Sequence, residues 1–567
     1  MGYIIGVSSG MFGMAQPQEK IGLIDLSQKG FYSALKGVNF TQIDLETSAE
    51  FIAPEIHSKL QKLREEMKIN YGIHGLSAAM GAKGIFLDSA IKDDWERTQD
   101  ALVRDIRRSA EAGAKYYLQH ASETNPYGWL GKDFQSTDIV DIWGRPLYVF
   151  LEDPENRDVY EWLITQDEVR SVGGATVDEI KKGISYDLRR EAEAMVDRQM
   201  QIEGKFLTRE SYERDQAKFM ALSKERDDRI EKYFNENLEP KAIKQAKDAI
   251  KRSIMRPTLH YGPERLAYIA TAKWMSLRGD PLWKGIVGNK SIDSIKYDYN
   301  KWVPAVSLKY IYGHFFPEDA KREDGYRPQD PKPYMKEHNL FFVIETETLK
   351  AGVEDMPRVA NPAHFVVLCR EMESRGLGLF KAAIDFEHCL GAGLWPVAEK
   401  GHTGKGFIEE MLPNGGKYVN VLHVGWPTAI GPAHVPIYLG SDQQEWLYQW
   451  LYLLKKKGFD ESEDRFIIFE RAGGVGGDPV DQSTMALKKI VDFLRMDVKP
   501  EDLSKPENLH FYGVEDASLK MQEVQIREHA MDPIRGLLQV PEEQHGFIGG
   551  TAVQKGKGKE WEAGKMR

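Results

Sequence analysis

The chain has only two cysteines, Cys369 and Cys389, in 567 residues. No disulfide framework can hold it together, and a reducing compartment is expected. It lacks any apolar run near the roughly 18 residues that a bilayer span requires. The richest stretch, Trp446-Leu-Tyr-Gln-Trp-Leu-Tyr-Leu-Leu454, is too short and reads as a helix packed on a sheet. Positive charge is not in surplus either. A formal net charge of −11 gives no global drive toward nucleic acid or an anionic membrane, although a local basic groove can sit on an acidic protein. No internal repeat is evident. The N-terminus opens directly on Tyr3-Ile-Ile-Gly-Val, without the basic region, apolar core and cleavage site of a signal peptide. A cytoplasmic protein is expected, with no membrane partner.

What is present is ordinary globular composition, 41% hydrophobic and 29% charged. The length exceeds one ordinary core and predicts about two to four structural units. The first 122 residues alternate strand and helix. Strands are expected at 3–9, 40–46, 70–75 and 115–121, with helices near 30–36, at 54–67 and at 93–112. Such alternation predicts a parallel sheet with helices outside.

The alternation stops at about residue 123. Charged amphipathic helices are expected at 185–200, 208–234 and 240–255, then more apolar ones at 264–277 and 303–314. Residues 123–337 are read as a mostly helical insertion whose last helix replaces a missing outer helix. Strands return at 340–346, 379–385, 417–424 and 465–470, with helices at 360–375, 442–457 and 484–495. The domain reading is thus 1–122 and 338–498 for two halves of one barrel, 123–337 for the insertion and 499–567 for a C-terminal extension. Eight strand–helix units predict an α/β fold, a closed (β/α)8 TIM barrel. Its active site is expected at the C-terminal strand ends. The insertion leaves from that face, which allows a lid, an oligomer contact or merely a tolerated loop.

Six of the eight expected strands finish in a carboxylate or an imidazole: His74, His120, Glu345, Asp385 with His388 three residues on, His423 and Glu470. A single histidine at a strand end is usually a hydrogen-bonded structural residue. Barrel closure, however, brings these tips to one place. Crowded carboxylates repel one another unless one stays protonated, and a divalent cation removes that conflict. Glu345, Asp385, His423 and Glu470 make a mixed oxygen and nitrogen shell suited to Mn²⁺, Zn²⁺, Co²⁺, Fe²⁺ or Mg²⁺.

At this point the sequence resembles the xylose-isomerase-like barrel superfamily, which includes sugar isomerases, epimerases and endonuclease IV-like proteins. The resemblance covers residues 1–122 and 338–498. It rests on Gly72-Ile-His74, Tyr117-Leu-Gln-His120, Glu345, Asp385-Phe-Glu-His388, Leu422-His423, His434-Val-Pro-Ile-Tyr-Leu-Gly440 and Phe469-Glu470. It implies two chemistries. In a sugar or sugar-phosphate isomerase or epimerase, Glu345, Asp385, His423 and Glu470 hold one metal. Glu345 and Glu470 then move the proton, and His388 contacts a small sugar-like substrate. In a zinc-dependent phosphodiesterase acting on abasic DNA, nucleic acid is the partner and there are three zinc ions. His74, His120 and Glu345 hold the first, the quartet holds the second, and His388 with His434 serves the third.

The sequence departs from both patterns. Pro432 stands where the third zinc site needs an aspartate, and Gly425-Trp-Pro-Thr-Ala-Ile430 is apolar where epimerases carry a polar contact. The complete one-metal quartet favours the isomerase or epimerase class. The loop Arg471-Ala-Gly-Gly-Val-Gly-Gly-Asp478 adds a candidate phosphate site at Arg471, Gly473 and Gly474, since barrels often bind phosphate after strands seven and eight. A third class, an interaction protein working through the helical insertion, has in its favour only a basic run at 241–252. The reading leaves a homo-oligomer open.

Overall fold

A computed structural model describes residues 2–9, 27, 30, 38–45, 56–76, 85–122, 139–163, 166, 177–205, 207–238, 263–320, 328–346, 359–398, 404–428, 431–470 and 479–514. Eight parallel strands close into a barrel: β1 (Tyr3–Ser8), β2 (Phe40–Asp44), β3 (Asn70–His74), β4 (Tyr116–His120), β5 (Phe341–Glu345), β6 (Phe380–Asp385), β7 (Val419–Val424) and, after a hairpin, β10 (Arg465–Phe469). Neighbours around the barrel are consecutive in sequence, and β10 closes on β1 through five pairs from Tyr3↔Arg465 to Val7↔Phe469. Every expected strand is present, each trimmed by at most two residues at an end. The expected TIM barrel is the fold.

Period-two alternation decides what lies inside. Phe40, Tyr116, Leu118, Val343, Phe466 and Ile468 all point inward and form one buried cluster. The same inward rows continue upward to the residues at the strand tips. At the other mouth the plug is charged. Fully buried Arg465 donates from Nη1 to the carbonyls of Val419 (2.7 Å) and Lys417 (3.1 Å), and from Nε to the carbonyl of Asp460 (3.0 Å). Lys381 pairs with Glu463 at 2.8 Å. Carbonyl groups at the strand starts thus receive a guanidinium that has no water around it, which is how a buried charge is tolerated.

Along the sequence, helices follow most strands: Ile56–Glu65, Lys92–Ala112, Pro362–Ser374, Asp442–Lys456 and Pro479–Met496. Helix Lys92–Ala112 ends at Gly113, whose φ of 82° places it in the left-handed region that caps helices. The fourth outer helix comes from the insertion. Tyr299–Phe315 is buried along most of its length, and the Phe315 ring packs tilted against Phe342 of β5 and edge-to-face against Phe380 of β6, at 4.8 and 5.0 Å. Its neighbour His314 lies on Trp95 of helix Lys92–Ala112 at 4.6 Å, and Gln99 donates to the His314 carbonyl at 3.2 Å.

Further out, Val177–Ile202 and Gln216–Tyr233 pair around Ala192, Val196, Met200 and Ile230, with Arg226 bidentate to Asp197. The expected helices near 30–36 and at 240–255 lie mostly or wholly outside the described residues, as does most of the extension beyond 514. Several short elements had no sequence expectation. They include helices Pro281–Ile286, Lys332–His338 and Phe386–Gly391, and the hairpin β8 (Trp426–Thr428) with β9 (Gly431–Val435).

The chain divides into two compact units, 1–436 with 453–484, and 437–452 with 485–567. The second unit has its own aromatic centre, in which Phe511 sits 5.2 Å from Tyr448 and 5.0 Å from Phe493. Among the described residues, no helix is long and apolar enough to cross a membrane.

Candidate metal centre

All the strand-tip residues named from sequence lie in the first unit, at one end of the barrel. His74, His120, Glu345 and Asp385 are the last residues of β3, β4, β5 and β6, His423 is next to last in β7, and Glu470 follows β10. Register explains the convergence: His120 pairs with Glu345 across β4 and β5, and Asp385 with His423 across β6 and β7. Each side chain points inward by the same alternation that buries the core below.

Two groups of ligand atoms form, each with its atoms within 4.8 Å of one another. The first is the quartet Glu345, Asp385, His423 and Glu470. His423 Nδ1 faces Glu345 Oε1 closely, lies 3.0 Å from Glu470 Oε2 and 3.9 Å from Asp385 Oδ2. The second is His74, His120 and Glu345, in which Glu345 Oε2 lies 3.1 Å from His74 Nε2 and 3.2 Å from His120 Nε2. Glu345, fully buried, therefore presents one oxygen to each group.

Acceptor-only neighbours fix how the imidazoles are turned. His74 Nδ1 donates to the Gly75 carbonyl at 2.8 Å, which leaves Nε2 for Glu345. His388 Nδ1 donates to the Thr346 carbonyl at 2.9 Å. His423 Nε2 meets Gln42 Oε1 at 2.8 Å, which leaves Nδ1 for the carboxylates. A nitrogen lone pair and a carboxylate oxygen are both acceptors, so such pairs need a proton or a cation between them. Among the described residues, Glu345 Oε1, Asp385 Oδ2 and His423 Nδ1, all buried, have no hydrogen-bond partner of their own. Orphaned atoms of this kind, two oxygens and a nitrogen converging, fit a divalent ion well.

The electrostatics carry the same tension. Burial works to raise the Glu345 carboxyl, but the imidazoles of His423, His120 and His74 outweigh it and hold it well below the usual range. Burial pushes Asp385 up to about 6, with Glu470 and Glu345 adding to it against His388 and His423. Burial would lower His423, yet Glu345 and Glu470 hold it well above its ordinary value.

Asp385 has a second task. It caps helix Phe386–Gly391, its Oδ1 accepting from the His388 backbone N–H at 2.9 Å, so only Oδ2 is turned to the quartet. His388 sits on that short helix, 6.1 Å from the His120 ring, and belongs to neither ligand group. His434 lies on β9, but its side chain falls outside the described residues, as do Arg471, Gly473 and Gly474 altogether. Of the apolar loop expected after the seventh strand, Trp426–Thr428 forms β8, paired antiparallel with β9. Among the described residues, both ligand groups are made of barrel strand ends.

Residues with no place in the sequence reading complete the surroundings: Gln42 and Asp44 of β2, Ser9 and Tyr116. Gln42 Nε2 donates to Asp44 Oδ1 (3.1 Å), and Tyr116 Oη donates to Gln42 Oε1 (2.9 Å). The signal was available, since Phe40, Gln42 and Asp44 share the inward face of β2 and Asp44 ends it.

No family model and no curated protein matches the sequence. Among solved structures, it is similar to a D-tagatose 3-epimerase-like protein, with a TM-score of 0.38 and 10% identity over 87% of this chain and 98% of that one. A D-allulose 3-epimerase from Methylomonas sp. gives 0.36 and 8% over 88% and 98%. A D-psicose 3-epimerase with D-tagatose from Clostridium cellulolyticum H10 gives 0.32 and 9% over 88% and 100%. Likeness of this degree adds no argument to the barrel traced above.

Proposed function

We propose that this chain is a divalent-metal-dependent isomerase or epimerase acting on a small carbonyl sugar or its phosphate. The observation that carries the reading is the buried quartet, four ligand atoms from four successive barrel strands within 4.8 Å. When bound, the ion would supply positive charge to a carbonyl oxygen and the hydroxyl oxygen on the adjacent carbon, which favours loss of the proton from that hydroxyl-bearing carbon.

The chain's own residues divide the remaining work by burial. Glu470 keeps 19% of its side chain exposed, whereas Glu345 has none, and both Glu345 oxygens face imidazoles. Glu470 is therefore the group placed to take and return a proton, and Glu345 is the fixed one. One reachable base suits isomerisation, in which the proton moves between adjacent carbons on one face. Epimerisation needs a second group on the opposite face. His388, 13% exposed at the rim and anchored through Nδ1, is placed to meet a substrate oxygen.

A second reading is favoured by one observation, the His74–His120–Glu345 group. With two metals bridged by Glu345, the site would suit attack on a phosphodiester by an activated water. Elemental analysis of the purified protein separates the readings. One metal per chain, with ketose–aldose interconversion lost on Glu470→Gln, is expected. Two or more zincs, with cleavage of an abasic-site duplex that Glu470→Gln abolishes, would install the second reading. Unchanged metal content in both Asp385→Ala and His423→Ala would overturn the metal centre itself.

A further inference from the structure

β1 and β2 contribute no atom to either ligand group, yet a hydrogen-bonded relay runs from them across the barrel to the quartet. Ser9, just past β1, donates from Oγ to Asp44 Oδ2 at 3.2 Å and accepts from the Asp44 backbone N–H at 2.8 Å. Asp44 in turn accepts from Gln42 Nε2 at 3.1 Å. That bond settles which end of the Gln42 amide is which: the NH₂ must face the carboxylate, so the oxygen faces His423. Gln42 is fully buried, and its oxygen receives two donors, Tyr116 Oη at 2.9 Å and His423 Nε2 at 2.8 Å.

A phenol can donate or accept, but the Gln42 oxygen can only accept, so Tyr116 Oη supplies the hydrogen of that pair. An amide oxygen is acceptor-only, so His423 Nε2 carries a hydrogen.

We propose that Gln42 is a positioning residue. Held by Asp44 and Ser9, it fixes His423 as the Nε2–H tautomer and so delivers the Nδ1 lone pair to Glu345, Asp385 and Glu470. The ring has a choice of two tautomers, and only one offers a ligand to the quartet; outer-layer partners of metal-binding histidines act in this way. The inference rests on the metal reading but not on the reaction.

The test uses zinc as the probe and the full chain, with affinity measured by chelator competition and the His423 tautomer by ¹⁵N-histidine NMR of the zinc-loaded protein. Gln42→Met keeps length and volume but offers no acceptor oxygen. It should bind zinc about 10- to 100-fold more weakly and lose the single-tautomer signature. Gln42→Glu combined with Asp44→Asn exchanges carboxylate and amide, so a donor at 44 still meets an acceptor at 42 with net charge unchanged. That double variant should recover affinity to within a few-fold, while Gln42→Glu alone, which sets two carboxylates together, should not. A residue that merely packs predicts that Gln42→Met binds like wild type, and that result overturns the proposal. Should Gln42→Met fail to fold, the contrast between the single and the exchanged variant decides: equal affinities sink the relay. Wild type that binds no zinc removes the metal reading itself, an outcome distinct from wild type and Gln42→Met binding alike.

Discussion

Gly72→Ala puts the steric design of the barrel interior to a quantitative test. Gly72 faces inward on β3, level with Gln42 on β2. A Cβ added there would lie 2.2 Å from Tyr116 Cζ and 2.4 and 2.5 Å from its two Cε atoms. Ordinary carbon contacts are about 3.5–4.0 Å, so the ring must retreat by more than an ångström. It has nowhere to go, being fully buried with Phe466 at 5.1 Å and Phe40 at 5.9 Å.

Overpacking of this kind costs about 1–3 kcal/mol. Losing the Tyr116–Gln42 hydrogen bond adds about 0.5–1.5 kcal/mol. Hydrogen exchange of amides in Asn70–His74 and Tyr116–His120 reads the result directly: a loss of about 2 kcal/mol speeds exchange about thirtyfold. Tyr116→Ala removes the obstructing ring at its own large cost, and adding Gly72→Ala to it should then cost almost nothing. Strict additivity of the two changes, or Gly72→Ala exchanging like wild type, would refute the reasoning.

Other outcomes follow from the same geometry. Zinc at 100 times its dissociation constant should stabilise the protein by about 2.7 kcal/mol, raising Tm in wild type but not in Asp385→Asn; a chelator should reverse the shift. His314 is fully buried on Trp95, and burial, outweighing a hydrogen bond with the Leu87 backbone, pushes it down to about 3. The unfolded histidine, at about 6.5, takes up a proton that the folded one refuses. Stability is thus full above about pH 6.5 and falls as pH drops toward 3. Denaturation midpoints should follow that slope, and His314→Gln should flatten it. Asp280 caps helix Pro281–Ile286 and pairs with buried Lys309 at 2.7 Å. Asp280→Ala should cost about 3–5 kcal/mol by leaving that ammonium buried alone. Adding Lys309→Met should recover most of it in thermal melts.

The barrel was legible because its signals repeat. Each strand is a short apolar run bounded by turn residues, and its tip carries a residue that an apolar core rejects. The quartet was legible for the same reason: Glu345, Asp385, His423 and Glu470 are ionisable and sit where a strand runs out. What escaped carries weaker marks. Gln42 is uncharged, so its inward position on β2 does not stand out, and the strand expected at 40–46 runs two residues past Asp44, where β2 ends. The β8–β9 hairpin has strands of three and five residues, Pro427 and Pro432 among them, too short for any period to show. Asp385 stands out in the sequence for its charge alone. Its capping bond to His388 depends on a helix of six residues, which no sequence window resolves.

The seam between β4 and β5 has a consequence for how the chain folds. The two strands share five register pairs, Tyr116↔Phe341 to His120↔Glu345, yet the whole insertion lies between them. Closing that loop of roughly 220 residues costs about 1.6 kcal/mol more than closing an ordinary unit of roughly 35. Contacts so distant in sequence form after the local ones. The halves on either side of the insertion are therefore expected to gather first, and the two seams that join them, β4 on β5 and β1 on β10, to knit last. His120 and Glu345 face each other across the first of these seams, so an ion held there would clasp one of the late-forming joints, and refolding in zinc should shorten the slowest phase.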